Sequence, residues 1–134
     1  MQQESKATLG NLRQAPRKVR LVVDLIRGMR AEDAIAQLAF ADKKAAQPVL
    51  KLLQSAIANA KINHGMQAAS LVVSHAAVNP GPILYRWMPG AFGRANKLRR
   101  RTSHITLVLR GETDDTKEKK KEIRNEKREI KEIK

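Results

Sequence analysis

The chain has no cysteine. Disulfides and thiolate metal sites are therefore excluded, and the composition fits a reducing cytosol. Aromatic residues are scarce, at 3%: one Trp, one Tyr and two Phe. A core built from this sequence must be mostly aliphatic. No apolar run approaches the ~18 residues that a membrane span needs. The first nine residues are polar and lack an apolar signal-peptide core. These absences lead to the expectation of a soluble, cytoplasmic protein with no membrane partner. A further absence is more specific. From Lys43 to Gly111 there is no Asp or Glu at all.

What remains is strongly basic. Lys and Arg number 27 against 13 Asp and Glu, for a formal charge of +14 over 134 residues. Such a surplus repels itself in a compact state. A polyanion relieves the repulsion, and nucleic acid is the commonest one; an acidic membrane surface is the next candidate. The charge is also localised. Residues 112–134 hold nine bases and eight acids, whereas residues 1–111 hold eighteen bases and five acids. The length suits a single domain with an appendage. The division expected is a globular RNA-binding domain over 1–111 and a charged low-complexity tail over 112–134.

Periodicity outlines the domain. Met1 to Ser5 looks loose, and Lys6 to Arg13 reads as a short strand. Pro16 suits the first position of a helix, where its missing N–H costs nothing. Val19, Val22, Val23 and Ile26 then form an apolar stripe, and Gly28 stops the helix. Arg17, Lys18, Arg20 and Arg27 fall on the other side. A second helix is expected over Ala31 to Phe40, with Glu32 and Asp33 favoured by the dipole at its start and Ile35, Leu38 and Ala39 inward. Asp42 is the expected N-cap of a long third helix. Val49, Leu53, Ala56, Ile57 and Ala60 mark its inner face, and Asn63-His64-Gly65 ends it. Strands are expected over Leu71 to Val78 and Thr102 to Arg110, the latter with Ile105, Leu107 and Leu109 on one face.

Between those strands, residues 79–101 are basic, punctuated by Pro and Gly, and poor in core residues. This stretch reads as a two-stranded arm that turns at Pro89-Gly90. Limbs of about ten residues give it a reach of about 33 Å at ~3.3 Å per residue. Three of the four aromatics, Tyr85, Trp87 and Phe92, fall within the ten residues from Tyr85 to Arg94. Aromatics interleaved with Arg86 and Arg94 can stack on unpaired bases while the charges hold phosphates. The bland alternative is a local apolar cluster, or a tip packed back on the body. Lys97, Arg99, Arg100 and Arg101 follow, and alternation puts bases on both faces of the ribbon. That suits a ribbon threaded between RNA segments.

Enzymatic readings find no footing. A two-metal nuclease needs clustered carboxylates, and the basic half has none. His64, His75 and His104 have no acid near them in sequence, so no metal site is expected. The serines lack a recognisable nucleophile setting, and there is no Gly-rich phosphate loop. No catalytic residue and no cofactor is expected. A free nucleic-acid chaperone is the remaining alternative. It predicts similar affinity for any nucleic acid, whereas a long asymmetric arm argues for a fixed pocket. The tail beyond Thr113 is Lys/Glu-rich, with Ile123, Ile130 and Ile133 its only large apolar residues. It is expected to be a fluctuating helix or disordered.

Three segments resemble one family. Pro16-Arg17-Lys18-Val19-Arg20-Leu21-Val22-Val23-Asp24-Leu25-Ile26-Arg27-Gly28 is similar to the first helix of the bacterial large-subunit ribosomal protein numbered twenty-two. Ser55-Ala56-Ile57-Ala58-Asn59-Ala60 resembles the centre of that family's long helix. Gly93-Arg94-Ala95, Lys97, Arg99-Arg100-Arg101 and Thr102-Ser103-His104-Ile105-Thr106 resemble its hairpin return and last strand. The matches run in the family's order over about residues 6 to 110. Ala15 stands where relatives usually have a hydroxyl residue, and Gly90 where they commonly have a base.

The resemblance implies an α+β fold, with three helices packed on a small antiparallel three-stranded sheet and a long projecting β-hairpin. It implies a structural protein of the large ribosomal subunit that holds rRNA segments from several domains together. Neighbouring ribosomal proteins are the other expected partners, with no homo-oligomer. Lys6, Arg13, Arg17, Lys18, Arg20, Lys61, Asn63 and His104 on the body are expected rRNA contacts. So are Arg86, Arg94, Lys97, Arg99, Arg100 and Arg101 on the arm. The tip, Trp87, Met88, Pro89, Gly90, Ala91, Phe92 and Gly93, would line the exit tunnel and meet the nascent peptide.

Overall fold

The computed structural model describes residues 2–113. The tail beyond Thr113, with its three isoleucines, lies outside the described residues.

Five strands and three helices follow in the order β1 (Gln2–Leu12), α1 (Pro16–Ile26), α2 (Ala31–Phe40), α3 (Ala46–His64), β2 (Val72–Pro80), β3 (Leu84–Pro89), β4 (Ala95–Arg100) and β5 (Ser103–Glu112). This is the expected α+β architecture. β5 is the centre of an antiparallel sheet of order β1-β5-β2. Alternation along β5 sends Ser103, Ile105, Leu107, Leu109 and Gly111 to the buried face. Ala7 and Ala76 flank Leu107 from the two outer strands. α1 and α3 cover that one face, since β1 packs against α3 and β2 against α1, and α2 packs on the two helices. Small residues permit the close approach on the β1 side. Ser5 Oγ donates to the Ala56 carbonyl of α3 at 3.4 Å.

The helices form for the reasons the sequence suggests, with local differences. α1 starts on Pro16 with no side-chain cap from Ala15, and buries Val19, Val22, Val23 and Ile26. Each such aliphatic side chain contributes roughly 1.5–3 kcal/mol by leaving water. α2 buries Ala31, Ala34 and Leu38. Ile35 is only partly buried and Ala39 is exposed, contrary to expectation. A helix wedged between α1 and α3 needs only a narrow i, i+3, i+7 stripe. α3 starts at Ala46, and Asp42 is not its cap. Instead Ala46 N–H donates to the Lys43 carbonyl, and Ala45 and Ala46 are pulled into the core. Packing rather than capping sets this start. At the other end Gly65 adopts φ +61° and its N–H caps the Ala60 carbonyl.

The strands also run longer than expected. β1 begins at Gln2, so the supposedly loose start is paired, Gln2 opposite Glu112. Near its end the register shifts between Leu9 and Leu12, where Asn11 sits at φ +54°. The Asn11 N–H donates to His104 Nδ1 at 3.1 Å. β5 continues through Glu112, and Thr113 bridges to Met66.

The arm is where the difference matters most. The sheet pairing of β2 with β5 ends at Pro80 and Ser103, and β3 pairs with β4 as a separate ribbon, from Leu84 opposite Arg100 to Pro89 opposite Ala95. Each strand of the ribbon has six residues, not ten. At ~3.3 Å per residue the paired length is about 20 Å. The break at 81–83 and 101–102 arises because Pro82 cannot donate to a ladder. Every side chain of the ribbon is exposed except the partly covered Leu98.

Candidate nucleic-acid interface

Three parts of the chain converge at the root of the ribbon. They are the β1–α1 junction with the first turns of α1, the α2–α3 connection, and the ribbon's lower end. Between them lies an open cleft of about 930 Å³. Eight basic side chains line it: Arg13, Lys18, Lys43, Lys44, Arg86, Arg99, Arg100 and Arg101. Among the described residues no carboxylate does. The two ion pairs seen among the described residues, Arg27 with Asp24 at 2.9 Å and Arg110 with Glu4 at 2.7 Å, lie elsewhere.

The electrostatic consequence follows directly. Eight like charges around one concavity raise a positive potential that no described carboxylate offsets. The cleft fits an anion with several charges in a row, and a nucleic-acid backbone is such an anion. Arginines present rigid forks that bind phosphate oxygens two at a time. Arg99, Arg100 and Arg101 supply three of these from consecutive positions. Leu21, 71% exposed, adds an apolar contact in the wall.

The fold holds the cleft open through the ribbon's root. Thr102 is buried, and its Oγ1 donates to the Pro82 carbonyl at 2.6 Å. The Gly81 N–H donates to the Thr102 carbonyl at 2.8 Å. Ser103 Oγ donates to the Gln14 carbonyl at 2.5 Å, which ties the ribbon root to the start of α1.

The expected contact residues divide into groups. Arg13, Lys18, Arg86, Arg99, Arg100 and Arg101 meet in the cleft. Lys43 and Lys44 join them without having been expected; the only signal was their place in the acid-free stretch. Arg17 is exposed on α1 outside the cleft. Arg20 Nη2 donates to the Val78 carbonyl at 3.2 Å, a bond that ties α1 to β2. Lys6 lies opposite Val108 on the uncovered face of the sheet. Lys61 and Asn63 are exposed at the far end of α3, away from the cleft. His104 is partly buried and is engaged with Asn11.

Along the ribbon, bases fall on both faces. Arg86 and Arg100 share one face; Lys97 and Arg99 share the other. Lys97 Nζ sits 3.9 Å from the centre of the Tyr85 ring. Gly90 N–H donates to the Arg94 carbonyl at 2.6 Å and closes the tip. Phe92 sits there at φ +56° and is fully exposed. Trp87 and Met88 are 66% and 52% exposed. The alternative of a tip folded back on the body is therefore excluded. Among the described residues no group of three or more His, Asp or Glu could hold a metal ion, and no helix is long and apolar enough to cross a membrane.

Comparison with known proteins gives consistent matches. The family described as ribosomal protein L22p/L17e matches residues 7–110. The chain is 51% identical over 107 residues to the large ribosomal subunit protein uL22 of Desulfitobacterium hafniense strain Y51, covering 80% of this chain and 94% of that one. Against the uL22 of Mesoplasma florum the figures are 52% over 109 residues, 81% and 97%. Against that of Staphylococcus aureus strain JH9 they are 49% over 115 residues, 86% and 98%.

Proposed function

The chain belongs to the ribosomal protein L22p/L17e family, and on that basis we propose that it clamps separate rRNA segments of the large subunit together. It is a structural protein of the large subunit of the cytoplasmic ribosome and not an enzyme. Its partners are rRNA and other ribosomal proteins. The finer reading concerns how it grips RNA. The cleft takes a phosphate backbone between the body and the ribbon, and Lys97 and Arg94 beyond it reach outward to another segment. The tip residues Trp87 to Gly93 reach the wall of the nascent-peptide tunnel and meet the growing chain there.

One observation carries this reading. Among the described residues, eight bases and no acid surround a cleft where the body meets an otherwise exposed ribbon. A protein that only coated RNA would have no use for a concavity built from two separate parts. Mechanistically the clamp works by counterion release. Each phosphate contact lowers the logarithm of affinity by ~0.7 to 0.9 per tenfold rise in salt.

The experiment is equilibrium binding of the full chain to large-subunit rRNA over a range of salt. Eight contacts give a log–log slope of about −6 to −7. A slope near −1 would remove the clamp, because the cleft would then be making almost no phosphate contacts.

A further inference from the structure

Resting on that reading, we propose that Trp87 is a stacking site for an unpaired nucleobase, on the face of the ribbon turned away from the cleft.

The register of the ribbon sorts its side chains into two unlike faces. Leu84, Arg86, Met88, Asn96, Leu98 and Arg100 share one. Its apolar members are aliphatic, and Leu84, Arg86 and Arg100 line the cleft. This is the side for the phosphate backbone. The other face carries Tyr85, Trp87 and Pro89, paired with Arg99, Lys97 and Ala95. Both ring systems of the two strands are here. Of this face only Arg99 reaches the cleft wall.

The chemistry of the second face differs accordingly. Lys97 stands directly opposite Trp87, yet its ammonium leans along the ribbon to the Tyr85 ring, 3.9 Å from its centre. That cation–π contact holds the charge in place beside Trp87. Trp87 stays 66% exposed and Tyr85 50%. An open indole and an ammonium held over the neighbouring ring of the same face form a compact set. The indole offers a flat surface to a base of any identity. The ammonium meets a phosphate beside it. Aromatic surface joined to a cationic track is how single-stranded nucleic acid is held without sequence preference. A base-paired segment offers no ring face to Trp87, so the ligand is a nucleotide outside a helix. The nascent peptide that the tip meets is the competing occupant of this face, and it lacks the phosphate that Lys97 would meet.

Trp87 is the only tryptophan in the chain, so its emission reports stacking directly. The full chain is titrated with an unstructured RNA of about ten nucleotides, within the span of such grooves. It is titrated separately with an abasic ribose-phosphate oligomer of the same length and charge. Both should bind with comparable salt dependence, and only the base-bearing strand should quench Trp87. In a competition assay Trp87→Ala should weaken binding of the base-bearing strand by about tenfold, the range for loss of one stacked base. It should leave abasic binding unchanged. RNA binding without quenching, or equal quenching by both oligomers, overturns the stacking site and leaves the rRNA clamp standing. Failure of both oligomers to bind overturns the clamp as well. The quenching is read on the unaltered chain, so it decides even if the variant's ribbon melts.

Discussion

Thr102 Oγ1 lies 2.5 Å from the point that a Cβ on residue 81 would occupy, and the Gly81 N–H donates to the Thr102 carbonyl. The two residues are therefore interlocked at the root of the ribbon. His104 crowds the same point at 3.2 Å. Here the glycine is demanded by lack of space, since its backbone conformation is ordinary.

Gly81→Ala should therefore push Thr102 off the Pro82 carbonyl and disturb the root. Overpacking of this kind costs roughly 1–3 kcal/mol, which lowers the thermal midpoint by several degrees or more in a domain of this size. Gly10→Ala is the control, because its added carbon would meet only His104 Nδ1 at an ordinary 3.6 Å. Circular dichroism melts of the two variants should differ clearly. Equal midpoints would mean that the interlock does not hold the ribbon.

Two cations of α1 should separate in their effects. Arg20 bonds the Val78 carbonyl, so Arg20→Ala should lower unfolding stability by about 1 kcal/mol, the usual net worth of such a bond. Lys18 lines the cleft and makes no such bond. Lys18→Ala should leave urea unfolding unchanged and weaken rRNA binding. It should also flatten the salt slope by ~0.7 to 0.9. The reverse pattern would mean that the two side chains have been given the wrong roles.

At the tip, Phe92 holds a left-handed conformation that costs a side-chain-bearing residue roughly 1–2 kcal/mol. Phe92→Gly should relieve it. The Gly90 amide, bonded to the Arg94 carbonyl at 2.6 Å, should then exchange with solvent several-fold more slowly. Unchanged or faster exchange would show that the ring, and not the backbone, stabilises the turn.

The core of this fold was plain in the sequence because it follows from period alone. The stripe Val19, Val22, Val23 and Ile26 and the alternation Ile105, Leu107 and Leu109 gave α1 and β5 directly. What period does not encode was missed. Asn11 departs from strand geometry at a bulge, and only the distant His104 fixes it. Asp42 looks like a cap in isolation, but the pull of Ala45 and Ala46 into the core overrides it. The ribbon's break is half visible in Gly81-Pro82, but nothing local shows that it interrupts both limbs. Six cleft residues were singled out by charge. Lys43 and Lys44 were not, because nothing local distinguishes a lysine facing a cleft from one facing solvent. Their placement depends on how α2 meets α3, which is a tertiary fact. Arg20, a base expected to meet RNA, also ties helix to strand, which its charge alone does not reveal.

The most direct test of the clamp is sedimentation of a native lysate through a gradient after a salt wash. It would follow both the unaltered chain and a Lys44→Glu, Arg99→Glu, Arg100→Glu variant. Contacts enclosed within a ribosomal particle are screened less than exposed ones, so the unaltered chain should migrate in step with large subunits. The variant relieves repulsion in the cleft, so it should fold at least as stably in isolation and yet remain in the top fractions. Full co-sedimentation of the variant would contradict the cleft as the rRNA grip. Loss of the unaltered chain to the top of the gradient would contradict the clamp itself.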